Sequence, residues 1–204
     1  MKNIYKLLLG CVVAAGITSP ATAQISLSLS ASSQTTSVGG LETYSLIISG
    51  LKGNVDLNGP ALGGYQVTLD YNASIASLSA DTFGTKLSNS GADYQYDSSS
   101  LGVIQLGEIS FDSAALLESS QTASFTLATF TLQGIAPGTT ALSFDLANTS
   151  LSDENGGSLD LINANSGTFT VTPAPEPGTC ALAALGLGCV VLRRVRGRAG
   201  IVKA

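Results

Sequence analysis

The chain has no histidine and no tryptophan, and its basic residues are scarce where they would matter most. Without histidine, neither a Ser-His-Asp nor a Cys-His arrangement can be assembled. The three cysteines, Cys11, Cys180 and Cys189, all lie in two apolar segments near the ends. Residues 24–172 therefore hold no disulfide and no zinc site of the usual ligand types. No glycine-rich loop ends in Lys-Ser or Lys-Thr, which removes the phosphate-binding loop. Only Lys52 and Lys86 offset the thirteen carboxylates between residues 24 and 172. A body so acidic repels phosphate backbones, so nucleic acid is excluded as a partner.

Long hydrophobic runs are also missing. The run from Leu7 to Ile17 falls short of the roughly 20 residues that span a bilayer as a helix. It follows Lys2 and Lys6 and precedes Ala21-Thr22-Ala23, a small-x-small pattern. Basic start, short apolar run and small-residue site together read as a signal peptide over residues 1–23, cleaved after Ala23. Export of the body is the expectation. Residues 24–172 then make one domain, large enough to bury about 70% of its unfolded surface without staples.

Within that domain apolar residues alternate with polar ones, the period of half-buried strands. Ile25, Leu27 and Leu29 share one parity, as do Tyr44, Leu46 and Ile48, and Tyr65, Val67, Leu69 and Tyr71. Further strand runs are 103–111, 123–132, 141–146 and 168–171, with turn signals such as Val38-Gly39-Gly40, Asn58-Gly59-Pro60 and Asn155-Gly156-Gly157 between them. Eight or nine short strands at this spacing predict an all-β fold, an antiparallel β-sandwich or jelly roll. Phe125 and Leu127 share a parity that Phe130 and Leu132 reverse, which predicts a bulge near Ala128-Thr129. Residues 113–119 suit one helical turn.

The order of these motifs resembles the cohesin-like branch of the carbohydrate-binding-module sandwiches. It is carried by the opening strand at Ile25, by Leu62-Gly63-Gly64-Tyr65-Gln66-Val67-Thr68-Leu69-Asp70-Tyr71-Asn72, by Ala128-Thr129-Phe130-Thr131-Leu132 and by the closing Gly167-Thr168-Phe169-Thr170-Val171. The resemblance implies a nine-stranded jelly roll that binds a partner, either a glycan or a dockerin-type protein module. It carries no binding residue over.

Composition changes after Val171. Residues 173–178 form a proline-rich spacer with Pro175-Glu176-Pro177, residues 179–192 are apolar, and residues 193–204 are basic, led by Arg193, Arg194 and Arg196. The apolar run reads as a short transmembrane helix extended by snorkelling arginines, with the basic end in the cytoplasm. The same order resembles PEP-CTERM sorting signals. That resemblance implies recognition by an exosortase in a Gram-negative bacterium, transient anchoring in the inner membrane, and delivery to the cell surface or extracellular matrix.

Candidate site residues follow from residue type and spacing. Tyr94 and Tyr96 stand two apart in a polar stretch and on a strand would share a face, either as a sugar or partner platform or as ordinary cross-strand packing. Asp153, Asn155 and Asp160 form an oxygen-rich loop suited to calcium, though Asx-type turns use the same residues. No other cofactor is expected. Asp70 and Asp145 alternate with apolar neighbours and should face solvent, which argues against a glycosidase pair of carboxylates. The sequence therefore points to a non-enzymatic module that binds polysaccharide. A dockerin-type protein partner is the first alternative and a carboxylate-based glycoside hydrolase the second.

Overall fold

The protein's computed structural model describes residues 24–51, 60–174 and 178. Ala21, Ala23, the Asn58-Gly59 turn, Pro175-Glu176-Pro177, the C-terminal apolar run and Arg193, Arg194 and Arg196 lie outside the described residues. Among those described, no helix is long and apolar enough to cross a membrane.

Strict alternation sets the first strand, β1 (Ile25–Ser30): Ile25, Leu27 and Leu29 are buried while the serines between them are only half covered. The chain then turns at Ala31, whose left-handed backbone (φ 54°) is strained for a residue with a side chain. That kink sends β2 (Ser33–Ser37) into the opposite sheet. Next come β3 (Leu41–Ser49), β4 (Leu62–Asp70), β5 (Ala76–Phe83), β6 (Asp93–Asp97) and β7 (Val103–Ser110). The expected helical turn is α1 (Ala114–Ser120), which buries Leu117. After it run β8 (Ser124–Gly134), β9 (Gly138–Phe144), β10 (Ser150–Asp153), β11 (Leu161–Asn165) and β12 (Gly167–Thr172).

One sheet has the order β11-β1-β3-β8-β5; the other runs β2-β12-β9-β4-β7-β6, with β10 beside the first half of β4. The sandwich expected from sequence is present, with two corrections. The described residues hold twelve strands rather than eight or nine, because short segments such as β2, β6 and β11 pair at the sheet edges without the apolar alternation that marks a strand in sequence. The pairing is also mixed: β1 with β11 and β2 with β12 are parallel. Both exceptions follow from the Ala31 kink, since each half of the opening strand lies beside a C-terminal strand running the same way.

The predicted bulge is real and sits one residue early. Leu46 pairs with Ala128 and Ile47 with Thr126, so Leu127 is the extra residue on β8. Phe125, Leu127, Ala128, Phe130 and Leu132 are consequently all buried despite the change of parity.

The core closes around Tyr44, which stacks on Phe130 at 5.5 Å and meets Phe169 edge-on at 6.4 Å. Two tyrosines tie the sheets together in opposite directions. Tyr44 on β3 donates its hydroxyl across the core to the Thr168 carbonyl on β12, 2.8 Å away. Tyr65 on β4 donates to the Leu127 carbonyl on β8 at 3.1 Å. Replacing Tyr44 with Phe keeps the ring stack and strands the Thr168 carbonyl. The expected cost is about 1–2 kcal/mol in urea unfolding; an unchanged midpoint would show that the tie contributes nothing.

Candidate functional site

Period-two geometry divides the second sheet into two faces whose residues do different things. On the outer face, strand register lines up two rows. Tyr96 on β6, Gly107 on β7, Gln66 on β4 and Ser150 on β10 form one; Tyr94, Ile109, Gly64 and Ser152 form the other. The sequence expectation for Tyr94 and Tyr96 thus holds in its geometric part: both sit on β6 facing the same way, ring centres 6.0 Å apart and tilted by 31°.

Their neighbours give the two rings different roles. Gly107 has no side chain, and the Tyr96 ring lies in the space that one would occupy. From there the Tyr96 hydroxyl donates to Gln66 Oε1 at 2.8 Å. Tyr96 is thereby fixed against the sheet, whereas Tyr94 stays 56% exposed. Ile109 (47% exposed) and Phe111 (67% exposed) continue the apolar strip along β7 and just beyond it. Beside this strip the glycine at position 64 leaves a cleft of about 390 Å³, walled by Tyr96, Ile109, Gln66, Ser150 and Ser152. The cleft wall contains no carboxylate.

On the inner face of the same strands, Gln95, Glu108 and Tyr65 stand side by side across β6, β7 and β4. Glu108 is fully buried. Its Oε1 accepts from Gln95 Nε2 at 3.1 Å, while Oε2 has no partner. The Glu108 carboxyl is raised to about 7, chiefly by burial; the Gln95 hydrogen bond opposes the rise and the neighbouring Asp93 adds to it. Burial, and after it the adjacent Glu108, pushes the Tyr65 hydroxyl up as well. Sequence reasoning passed over Glu108, although the signal was there. Ile104, Leu106 and Glu108 share a parity, which places an acid in a core row.

A second acidic contact joins the edge strands of the two sheets. Asp81 on edge strand β5 is raised by burial and then by Asp97 on edge strand β6. Among the described residues Lys86 is the only basic side chain, and its ammonium donates to the Ser120 carbonyl at 3.0 Å.

The loop residues suggested for calcium are placed as turn formers. Asp153 Oδ1 accepts from the Asn155 amide at 2.9 Å and the Gly157 amide at 2.7 Å, closing the turn after β10. Asn155 donates instead to Glu154 at 2.9 Å, and Asp160 is exposed in a separate hollow beside Leu146 and Leu159. Among the described residues no group of three or more acidic, cysteine or histidine side chains is arranged to hold a metal ion. Asp70 is exposed as expected; Asp145 caps the short turn at Leu146–Asn148, and the Asn148 side chain holds its carboxyl low.

Glu108 has a definite consequence for stability. Its folded-state pKa is raised, so the stabilisation is complete below the unfolded value near 4.5 and is lost as pH rises to about 7. Glu108→Gln should therefore melt with the wild type at pH 4 and several degrees above it at pH 7.5, the gap opening between those values and then levelling. Equal melting temperatures across that range would contradict a buried, neutral Glu108.

No protein-family model matches the chain, and no curated protein sequence matches it. Solved structures do resemble it. The solution structure of CaCohA2 from Clostridium acetobutylicum aligns with a TM-score of 0.57 at 20% identity, over 74% of this chain and 92% of that one. A type I cohesin–dockerin complex from Clostridium thermocellum gives 0.57 at 9% identity, over 74% and 95% of the two chains. The cohesin module of a family 33 glycoside hydrolase from Clostridium perfringens gives 0.54 at 14% identity, over 74% and 97%. At these identities the likeness is one of fold, and the body of this chain is a cohesin-like β-sandwich.

Proposed function

We propose that the chain is a non-enzymatic binding module that docks a protein partner on the outer face of β4, β7 and β6. The observation that carries this reading is the exposed strip of Tyr94, Ile109 and Phe111 beside a cleft free of carboxylates. Aromatic anchors at the rim of a pocket on a rigid sheet are what a protein interface uses for most of its affinity. Several of the similar solved structures are cohesins in complex with dockerins, from Clostridium thermocellum and Acetivibrio cellulolyticus, which supports a protein partner. The acidic body favours a partner with Lys and Arg around its contact, so association should slow as salt rises.

Glycan binding, the leading expectation from sequence, finds less support. A sugar platform uses neighbouring exposed rings, and Tyr96 is seated over Gly107 with its hydroxyl engaged by Gln66, which leaves Tyr94 as the freely exposed ring of the pair. Hydrolysis finds less still, because a glycosidase needs two carboxyls across a sugar-binding cleft. The hollow near Tyr71 holds only Asp97, and the one near Leu146 only Asp160.

The proposal extends to sorting. The Pro175-Glu176-Pro177 tail would be read by an exosortase, and the body delivered to the surface or matrix after export. Mass spectrometry of the mature protein should then lack the apolar run and the arginine cluster; a retained run would make the tail an ordinary membrane anchor.

The docking face is tested with the immobilised protein and a Tyr94→Ala/Phe111→Ala double variant, offered the surface proteins and the matrix polysaccharide of the same organism. A protein retained by the wild type should be held at least about tenfold more weakly by the variant. Equal retention by both proteins, or retention of polysaccharide alone, would contradict the reading.

A further inference from the structure

The two sheets do not close on each other at the side where β5 and β6 are the edge strands. Register places Asp81 in the inner-facing row of β5, opposite Phe130, and Asp93, Gln95 and Asp97 in the inner-facing row of β6. Inward-pointing charge on an edge strand discourages pairing with other chains. Here it also sets Asp81 near Asp97 across the open side, and Asp93 near Glu108 between the neighbouring strands β6 and β7. No basic side chain is hydrogen-bonded to any of them among the described residues. Ser88 Oγ donates to Asp93 at 2.7 Å and Gln95 to Glu108 at 3.1 Å, which leaves Glu108 Oε2 buried and unpartnered.

We infer that this side of the sandwich is a proton-operated seam: protonated Glu108, tied to Gln95 of β6, holds β6 closed, and its ionisation releases β6 from the sandwich. The element that yields is set by topology. Glu108 sits on β7, which is paired along its length with β4, whereas β6 has five residues and β7 as its single strand neighbour. A buried carboxylate must be hydrated, and lifting β6 is the shortest way to let water reach it.

The groups around Glu108 set the sense of the response. From β6 it meets Gln95 and Asp93, and from β4 the Tyr65 phenol, which stays protonated throughout the acid and neutral range; Asp81 and Asp97 face each other between β5 and β6. From β8 comes the Leu127 carbonyl, already bound by Tyr65, and α1 buries only Leu117. Lys86 is turned to the Ser120 carbonyl. The charged neighbour is an acid, Asp93, so loss of the Glu108 proton adds repulsion and no salt bridge. Because β6 carries Tyr94 and Tyr96, closing the seam also assembles the outer face. That consequence rests on the docking reading above; the seam itself does not.

Hydrogen exchange of the full chain, without any partner, tests the seam independently of docking. Once corrected for the intrinsic pH dependence of exchange, the opening of residues 93–97 should rise roughly tenfold per pH unit between pH 5 and 7 and then level off. Protection of β3 and β8 should stay constant. Glu108→Gln should flatten the β6 response, and Asp93→Asn, which removes the acid beside Glu108, should weaken it while keeping the core intact. Constant β6 protection in the wild type, or an undiminished pH response in both variants, would overturn the inference. So would full restoration of protection at pH 7.5 by calcium, which would make the seam a cation site.

Discussion

Two buried hydroxyls cross the sandwich in opposite directions, and the placement of the remaining parts depends on them. Tyr44 reaches from the first sheet to the Thr168 carbonyl, and Tyr65 reaches back from the second to Leu127. Sheet-on-sheet packing by apolar side chains is non-directional and would tolerate sliding of one layer over the other. A hydrogen bond from a ring of fixed length to one carbonyl tolerates much less. The Leu127 bulge presents the carbonyl that Tyr65 needs, and that carbonyl also receives the Gly84 amide at 2.7 Å. The second sheet is thereby held at one register, and its outer rows inherit that order.

The same constraint explains why the two faces of β7 differ so sharply. Once Tyr65 is committed to the core, its neighbour Glu108 must share the inner row, where its carboxyl is shielded from water. Outward, Gly107 and Ile109 alternate with it and supply a seat for Tyr96 and an apolar contact for a partner. One five-residue edge strand, β6, serves both faces, with acids toward the seam and tyrosines toward solvent. Core register, the ionisation of the seam and the shape of the docking face are therefore linked through adjacent residues of β6 and β7.

Much of this was legible in the sequence wherever period two was clean. The β1, β3, β4 and β12 runs read directly, the parity change in β8 announced its bulge, and the spacing of Tyr94 and Tyr96 put them on one face. Other strands were hidden for physical reasons. β2 (Ser33–Ser37) is a run of polar residues with no buried member, so nothing but its pairing with β12 marks it. β5 loses its alternation at Ser79, where the register with β8 slips. The Ala31 kink could not be foreseen, because left-handed backbone is the habit of glycine rather than alanine. Glu108 hid in plain alternation, since a charged residue is ordinarily assigned to the solvent face.

The central claim is that the outer face of β4, β7 and β6 is where a protein partner docks. It is tested most directly by hydrogen exchange on the complex with whatever surface protein the immobilised chain retains. The account predicts new protection confined to residues 64–66, 94–96 and 107–111. Protection appearing instead on the outer face of β1, β3 and β8, or on none of the strands, would contradict it.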